Sequence, residues 1–205
     1  YKPVISNTDA KSSFAKRLET IPSKAVQDRF IDFRSDIQEN RITKGVKLYH
    51  KINPENDVFT LDIKFGMGEI YHPLLSYATN IMNFAGTGKR KVNELKNEFC
   101  KIGCTYSISS DDSYTIISVE GTEKHLKEAL QLVSELLSDP LVDQDKMQVI
   151  IESEQSTRKM ENSEPDNVAE GLFDYVRFGS KSPELNRPSM KELKAMKADS
   201  LVAVF

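Results

Sequence analysis

Thiols and imidazoles are scarce in this sequence, and their scarcity excludes several chemistries at once. Two cysteines and three histidines occur in 205 residues. Cys100 and Cys104 stand four positions apart around a helix end. That spacing matches neither a zinc site nor a disulfide framework, so both are expected as small buried hydrophobes. His50, His72 and His125 are far apart in sequence, and none has a second ligand at helical spacing, so all three are expected as structural side chains. An excess of one charge is also missing. The net charge of -3 comes from interspersed signs, which gives no electrostatic reason for a nucleic acid or an anionic membrane as partner. The basic run Lys89, Arg90, Lys91 reads as a solvated helix start or turn. No apolar run approaches the roughly 20 residues that a membrane span requires, and the first residues do not resemble a secretory signal. The chain begins at Tyr1 and stops inside the apolar SLVAVF, as expected of a piece of a longer protein.

No serine, threonine or cysteine sits in a recognisable nucleophile context. The run Gly86-Thr87-Gly88-Lys89 departs from a phosphate loop. The glycine required five residues before Gly88 is Asn83, the residue after Lys89 is Arg90 rather than Ser or Thr, and the run follows a helix pattern instead of a strand. Glu152 and Glu154 read as a solvated helix surface.

What is present is a fold pattern, with 39% apolar residues available for a core. Residues 1–24 are linker-like, with a short amphipathic patch at Phe14 and Leu18, and residues 25–205 are expected to form one domain. Ile31, Phe33 and Ile37 suggest an extended segment. VKLYHKIN and VFTLDIKFG, flanking Pro-Glu-Asn-Asp, read as an antiparallel hairpin. A helix is expected from Pro73 to Gly86, with Leu74, Tyr77, Ala78, Ile81 and Phe84 along one stripe. A second follows, through Val92, Leu95, Phe99 and Ile102, stopped by Gly103. YSISS and YTIISVEG form a hairpin around Asp111-Asp112-Ser113. Further helices carry Leu126, Ala129, Leu130, Val133 and Leu137, then Met147, Ile150 and Ile151, then Val168, Leu172, Phe173 and Val176. Last comes a Ser189-capped helix with Met190, Leu193, Met196 and Leu201 facing inward. This order predicts an α+β fold, a largely antiparallel sheet with helices packed on one face.

The order and spacing of VKLYHKINPENDVFTLDIKFGMG, NFAGTG, KVNELKNEFCKIGCTYSISS, SYTIISVEGTEKHLKEALQLVSELL and KMQVIIESEQ resemble one domain of the insulinase and pitrilysin-type zinc metallopeptidases, from about Gly45 onward. Active members carry His-x-x-Glu-His on the first helix and a glutamate ligand on a later one. Matching the family's phenylalanine and Gly-Thr to Phe84, Gly86 and Thr87 puts the histidines at Tyr77 and Ile81 and the general base at Asn80. Matching the later apolar triplet to Val149, Ile150 and Ile151 puts the third ligand at Ser153. A one-residue slip brings Glu152 or Glu154 there instead, but restores neither histidine. The resemblance therefore implies a non-catalytic domain without catalytic, cofactor or metal residues of its own, lacking the family's final strand and helix. Zinc is expected in the catalytic half of the parent endopeptidase. The implied partner is that half or a separate catalytic chain, with a core subunit of an assembly as the alternative. A peptide added to an exposed strand edge is a further implied partner. The compartment depends on whether the parent carries a signal peptide.

Overall fold

The computed structural model describes residues 10–22, 28, 30–161 and 163–205. They fall into two compact units, 1–52 and 53–205. The first contains helix α1 (Ser13–Glu19) and a hairpin of β1 (Gln38–Thr43) and β2 (Val46–His50). Gly45, at φ 86°, supplies the left-handed residue that this short turn requires. The expected extended segment differs from what is found. Gln27 lies outside the described residues, Ile31 and Phe33 are exposed, and the strand starts only at Gln38. Aspartates divert the chain: the Asp32 carboxylate accepts from Arg34 N, the Asp36 carboxylate accepts from Asp32 N, and Asp36 N closes back on Asp32 O.

The expected hairpin between VKLYHKIN and VFTLDIKFG does not form. β2 pairs with β1, and β3 (Val58–Phe65) pairs along its whole length with β6 (Thr115–Thr122). The intervening turn is folded on itself. Asn53 Nδ2 donates to Asn56 Oδ1 and Val58 O, while the Asn53 and Asn56 carbonyls accept from Glu55 N and Val58 N. Such Asx bonds compete with a strand ladder.

In the second unit β5 (Cys104–Ser110) completes a three-stranded antiparallel sheet of order β3-β6-β5. The register aligns Ile63, Ile117 and Ile108 in one row and Leu61, Val119 and Tyr106 in the next. Side chains alternate, so these rows face one side, while Thr60, Asp62, Glu120, Ser107 and Ser109 face the other and are exposed. Helices α2 (Leu75–Met82), α3 (Val92–Lys101) and α4 (Leu126–Ser138) cover the apolar rows with Met82, Leu95, Phe99, Ala129, Val133 and Leu136. The protein is thus α+β with helices on one sheet face. A Cβ on Gly121 would lie 2.3 Å from Cys104 Sγ, so strands β5 and β6 meet too closely for a side chain there.

α2 is shorter than the sequence pattern suggests. It is capped at Asn83, and Gly86–Thr87 form strand β4, paired with β7 (Pro140–Leu141). The Asn83 side chain donates to Ile108 O and Thr79 O and accepts from Ile108 N, which turns the chain out of the helix. Cys100 is exposed, contrary to expectation, because the α3 stripe through Leu95 and Phe99 leaves it on the outer face; Cys104 is buried.

A second apolar cluster joins Tyr77 and Ile81 of α2 to Met147, Ile150 and Ile151 of α5 (Lys146–Glu161). Two short helices, α8 (Met190–Ala195) and α9 (Ala198–Val202), stand where a single one is expected, and add Leu193, Ala198 and Leu201 to that cluster. The Ser189–Glu192 capping box opens α8. Before them lie α6 (Pro165–Phe178) and the four-residue α7 (Pro183–Asn186). Val168, Leu172, Phe173 and Val176, the residues that mark α6 in the sequence, are all exposed.

Candidate functional site

Helical spacing puts Tyr77 and Ile81 one turn apart on the buried face of α2, 3% and 0% exposed. Asn80, one residue earlier than Ile81, is turned to solvent. On α5 the inward stripe Met147, Ile150, Ile151 continues through Glu154 and Arg158, and Ser153 is exposed on the outer side. Of the positions singled out in the sequence, the fold therefore brings Tyr77 and Ile81 together and leaves Asn80 and Ser153 outside.

The carboxylate that meets α2 is Glu154. Tyr77 Oη donates to Glu154 Oε1 at 2.9 Å. Arg158 Nε donates to the same oxygen at 2.5 Å, and its Nη2 donates to Tyr77 Oη at 3.2 Å and to Pro188 O at 2.7 Å. The phenol thus gives its proton to a carboxylate and takes one hydrogen bond from a guanidinium. Burial, and next the bond to Glu154, push the Tyr77 phenol up to about 12, against the opposing influence of Arg158. Burial works against the Arg158 and Arg187 cations, but carboxylate partners outweigh it and raise both. Arg187 binds Glu161 through two bonds of 2.8 and 3.1 Å, reaches Glu184 at 2.6 Å, and lies 3.7 Å from Glu154 Oε1. Two arginines and three glutamates therefore tie α5 to α2, α7 and the segment before α8.

Sequence reasoning read Glu154 as solvated helix surface, or as the third-ligand position of a slipped alignment, and missed Arg158 and Arg187; the Glu154 side chain is instead only 14% exposed, drawn inward by Tyr77 and Arg158. A signal existed for the first pair: Glu154 and Arg158 have the i, i+4 spacing and orientation that favour an ion pair, on the same stripe as Ile150 and Ile151. Nothing local marks Arg187.

The Gly86–Lys89 run is also held from within. Thr87 Oγ1 donates to Glu135 Oε1 at 2.7 Å and accepts from Lys89 N and Arg90 N, and Arg90 pairs with Glu135. The amides that a phosphate would need are spent on a threonine hydroxyl. Bonds from Arg90 and then Thr87 hold the Glu135 carboxyl below its usual range. Among the described residues, no group of three or more His, Cys, Asp or Glu is placed to hold a metal ion, and no helix is long and apolar enough to cross a membrane.

Comparison with known proteins assigns the fold. No curated protein matches the sequence. The periplasmic protease PqqL from Escherichia coli matches 95% of the chain with a TM-score of 0.65 at 13% identity, over 24% of its own length. The peptidase M16 inactive domain from Pseudomonas fluorescens matches 82% with a TM-score of 0.66 at 18% identity, over 42% of its length. The ferredoxin protease FusC, in a mutant form complexed with Arabidopsis ferredoxin, matches 89% with a TM-score of 0.61 at 16% identity, over 22% of its length. The chain therefore spans between about a fifth and two-fifths of the solved structures it resembles. At such identities these similarities establish architecture alone. The model of the insulinase family, peptidase family M16, matches residues 53–180, and the chain belongs to that family.

Proposed function

We propose that this chain is a non-catalytic insulinase-type domain that builds structure and substrate-chamber wall in a larger zinc endopeptidase, its zinc carried by another domain or a partner chain. The carrying observation is the Tyr77–Glu154–Arg158 cluster. Catalytic zinc sites use three protein ligands and an open position. Here the residues at the corresponding positions do not fit zinc. Tyr77 offers a phenol whose pKa is pushed up to about 12 and whose proton is committed to Glu154. Ile81 has no donor atom, and Asn80, exposed, cannot accept a proton from water as a general base. Glu154 is the carboxylate that meets Tyr77, and Arg158 already neutralises it. We take Glu154, in place of Ser153, as the equivalent of the family's third ligand, because it meets the α2 residue that replaces the first histidine.

The similarity to the Pseudomonas fluorescens inactive domain supports this reading. Membership of a zinc peptidase family supports a role beside a zinc-bearing partner, and the wall of such a chamber would contact peptide substrate. The test is metal analysis and peptide hydrolysis with the purified chain after equilibration with zinc. Less than about 0.1 zinc per chain and no cleavage is the expected result. Stoichiometric zinc that is lost on Glu154→Gln would overturn it.

A further inference from the structure

Helix α6 is amphipathic the wrong way round for a helix resting on its own domain. Its half-buried positions are Asn167, Gly171, Asp174 and Phe178, which recur at helical spacing and are mostly polar or small. Gly171 sits closest to α7, where an added Cβ would already touch Glu184 Cγ at 3.7 Å. The opposite face carries Val168, Leu172, Phe173, Tyr175 and Val176, with Leu172 64%, Phe173 66% and Val176 82% exposed. Together these five side chains present apolar area on the order of 500 Å², near the upper end of what a monomer tolerates. Burying that face on two copies reaches about 1,000 Å², the lower bound of a specific interface.

The charges beside this stripe indicate what covers it. Asp166, Glu170 and Arg177 follow one long flank of the helix, acidic toward its start and basic toward its end. Asp166 and Glu170 carry no ion pair among the described residues. Arg177 packs over the Phe178 ring at 4.6 Å and lies at 3.9 Å, the outer limit of pairing, from Asp112. When two identical helices pack antiparallel, like flanks face each other. Asp166 and Glu170 of one copy then run along the partner's Arg177, and the reverse, while Leu172 and Phe173 lie near the two-fold axis. A parallel pairing would instead set this flank against the partner's other flank, so Asp166 and Glu170 would not meet Arg177.

From this the geometry points to α6 as the contact of a two-fold homodimer, with the exposed stripe of each copy buried against that of the other. The inference is independent of whether the domain has lost its zinc. Sedimentation equilibrium of the full 205-residue chain tests it. The expected result is a monomer–dimer equilibrium with a Kd of about 10–100 µM, as suits a small interface. Val176→Glu and Leu172→Lys lie at exposed positions and leave the far-UV circular dichroism melt unchanged, but each weakens the dimer by at least about 100-fold. Arg177→Glu weakens it by about 10-fold, and adding Asp166→Lys and Glu170→Lys restores it to within about threefold of the original. A chain that stays monomeric to about 500 µM overturns the inference and leaves the stripe to a different protein surface, such as an adjoining domain. A dimer indifferent to both Val176→Glu and Leu172→Lys overturns it equally, and failure of the charge reversal to rescue Arg177→Glu overturns the antiparallel arrangement.

Discussion

Replacing Arg158 by methionine keeps most of the aliphatic stem and removes only the guanidinium. The side chains of Arg158 and Glu154 are 19% and 14% exposed, so the pair is close to buried. The hydrogen bonds to Glu154, Tyr77 and Pro188 disappear together. Glu154 is left with the Tyr77 hydroxyl and the more distant Arg187, 3.7 Å away. Removing one partner of a fully buried pair costs about 3–5 kcal/mol, and the remaining partner and partial solvation bring the expected loss here to about 2–3 kcal/mol. For a domain of this size that corresponds to a fall in Tm of roughly 5–10 °C. Glu154→Gln keeps an acceptor for Tyr77 and is expected to cost about 1–2 kcal/mol. Because the two groups touch, the double variant should cost less than the two single losses combined, with a coupling of about 1–2 kcal/mol. Urea unfolding of the wild type and the three variants closes the cycle. A loss under about 0.5 kcal/mol for Arg158→Met, or strict additivity in the double variant, would refute the view that a guanidinium holds α2 to α5.

The Tyr77 phenol gives a pH prediction. Its folded pKa is raised to about 12 from an ordinary 10.0, so the proton is held more tightly in the folded chain. Its contribution is fully present below pH 10 and is lost as pH rises toward 12, by up to about 2–3 kcal/mol. Thermal melts from pH 9 to 12 should therefore fall more steeply for the wild type than for Tyr77→Phe; parallel curves would refute the assignment. Asn83→Ala strands the backbone N–H and C=O of Ile108 and is expected to cost about 2 kcal/mol by urea titration, against well under 1 kcal/mol for the neighbouring Asn80→Ala. Gly121→Ala drives a methyl onto Cys104 and the Gly103 carbonyl, so a loss above about 2 kcal/mol is expected, with Cys104→Ala rescuing only part because backbone atoms lie at 2.8 Å.

Alternation and helical stripes in the sequence identify most elements of the second unit and the face each one buries. They identify the partner across the short Asp111-Asp112-Ser113 turn, where β5 and β6 pair as expected, but not the partner of a strand farther along the chain. The strand VFTLDIKF shows its apolar side through Phe59, Leu61 and Ile63, but period two is the same whether the neighbour is the preceding strand or one some sixty residues on, and Asx turns around Asn53 decided for the latter. Amphipathicity likewise does not say which side of α6 is inside. At the candidate site, the spacing of Tyr77 and Ile81 was readable because a helix fixes it. An apolar triplet on α5 leaves its phase open by one residue, and only the packed structure shows Glu154 turned toward Tyr77 and Ser153 away from it. Arg187 comes from beyond α7 and has no local pattern at all.

The bond pattern of Asn83 bears on how an extended peptide could lie against the sheet. Among the described residues β5 has β6 on one side only, and the Ile108 N–H and C=O that Asn83 engages are the pair a strand on the other side would use. The side-chain amide is thus a one-residue imitation of a neighbouring strand. A peptide adding along β5 would meet a rung already taken and would have to displace it, leaving that donor and acceptor on Asn83 without partners. Asn83 therefore acts as a gatekeeper that breaks the β5 rim at Ile108 and protects it from indiscriminate pairing.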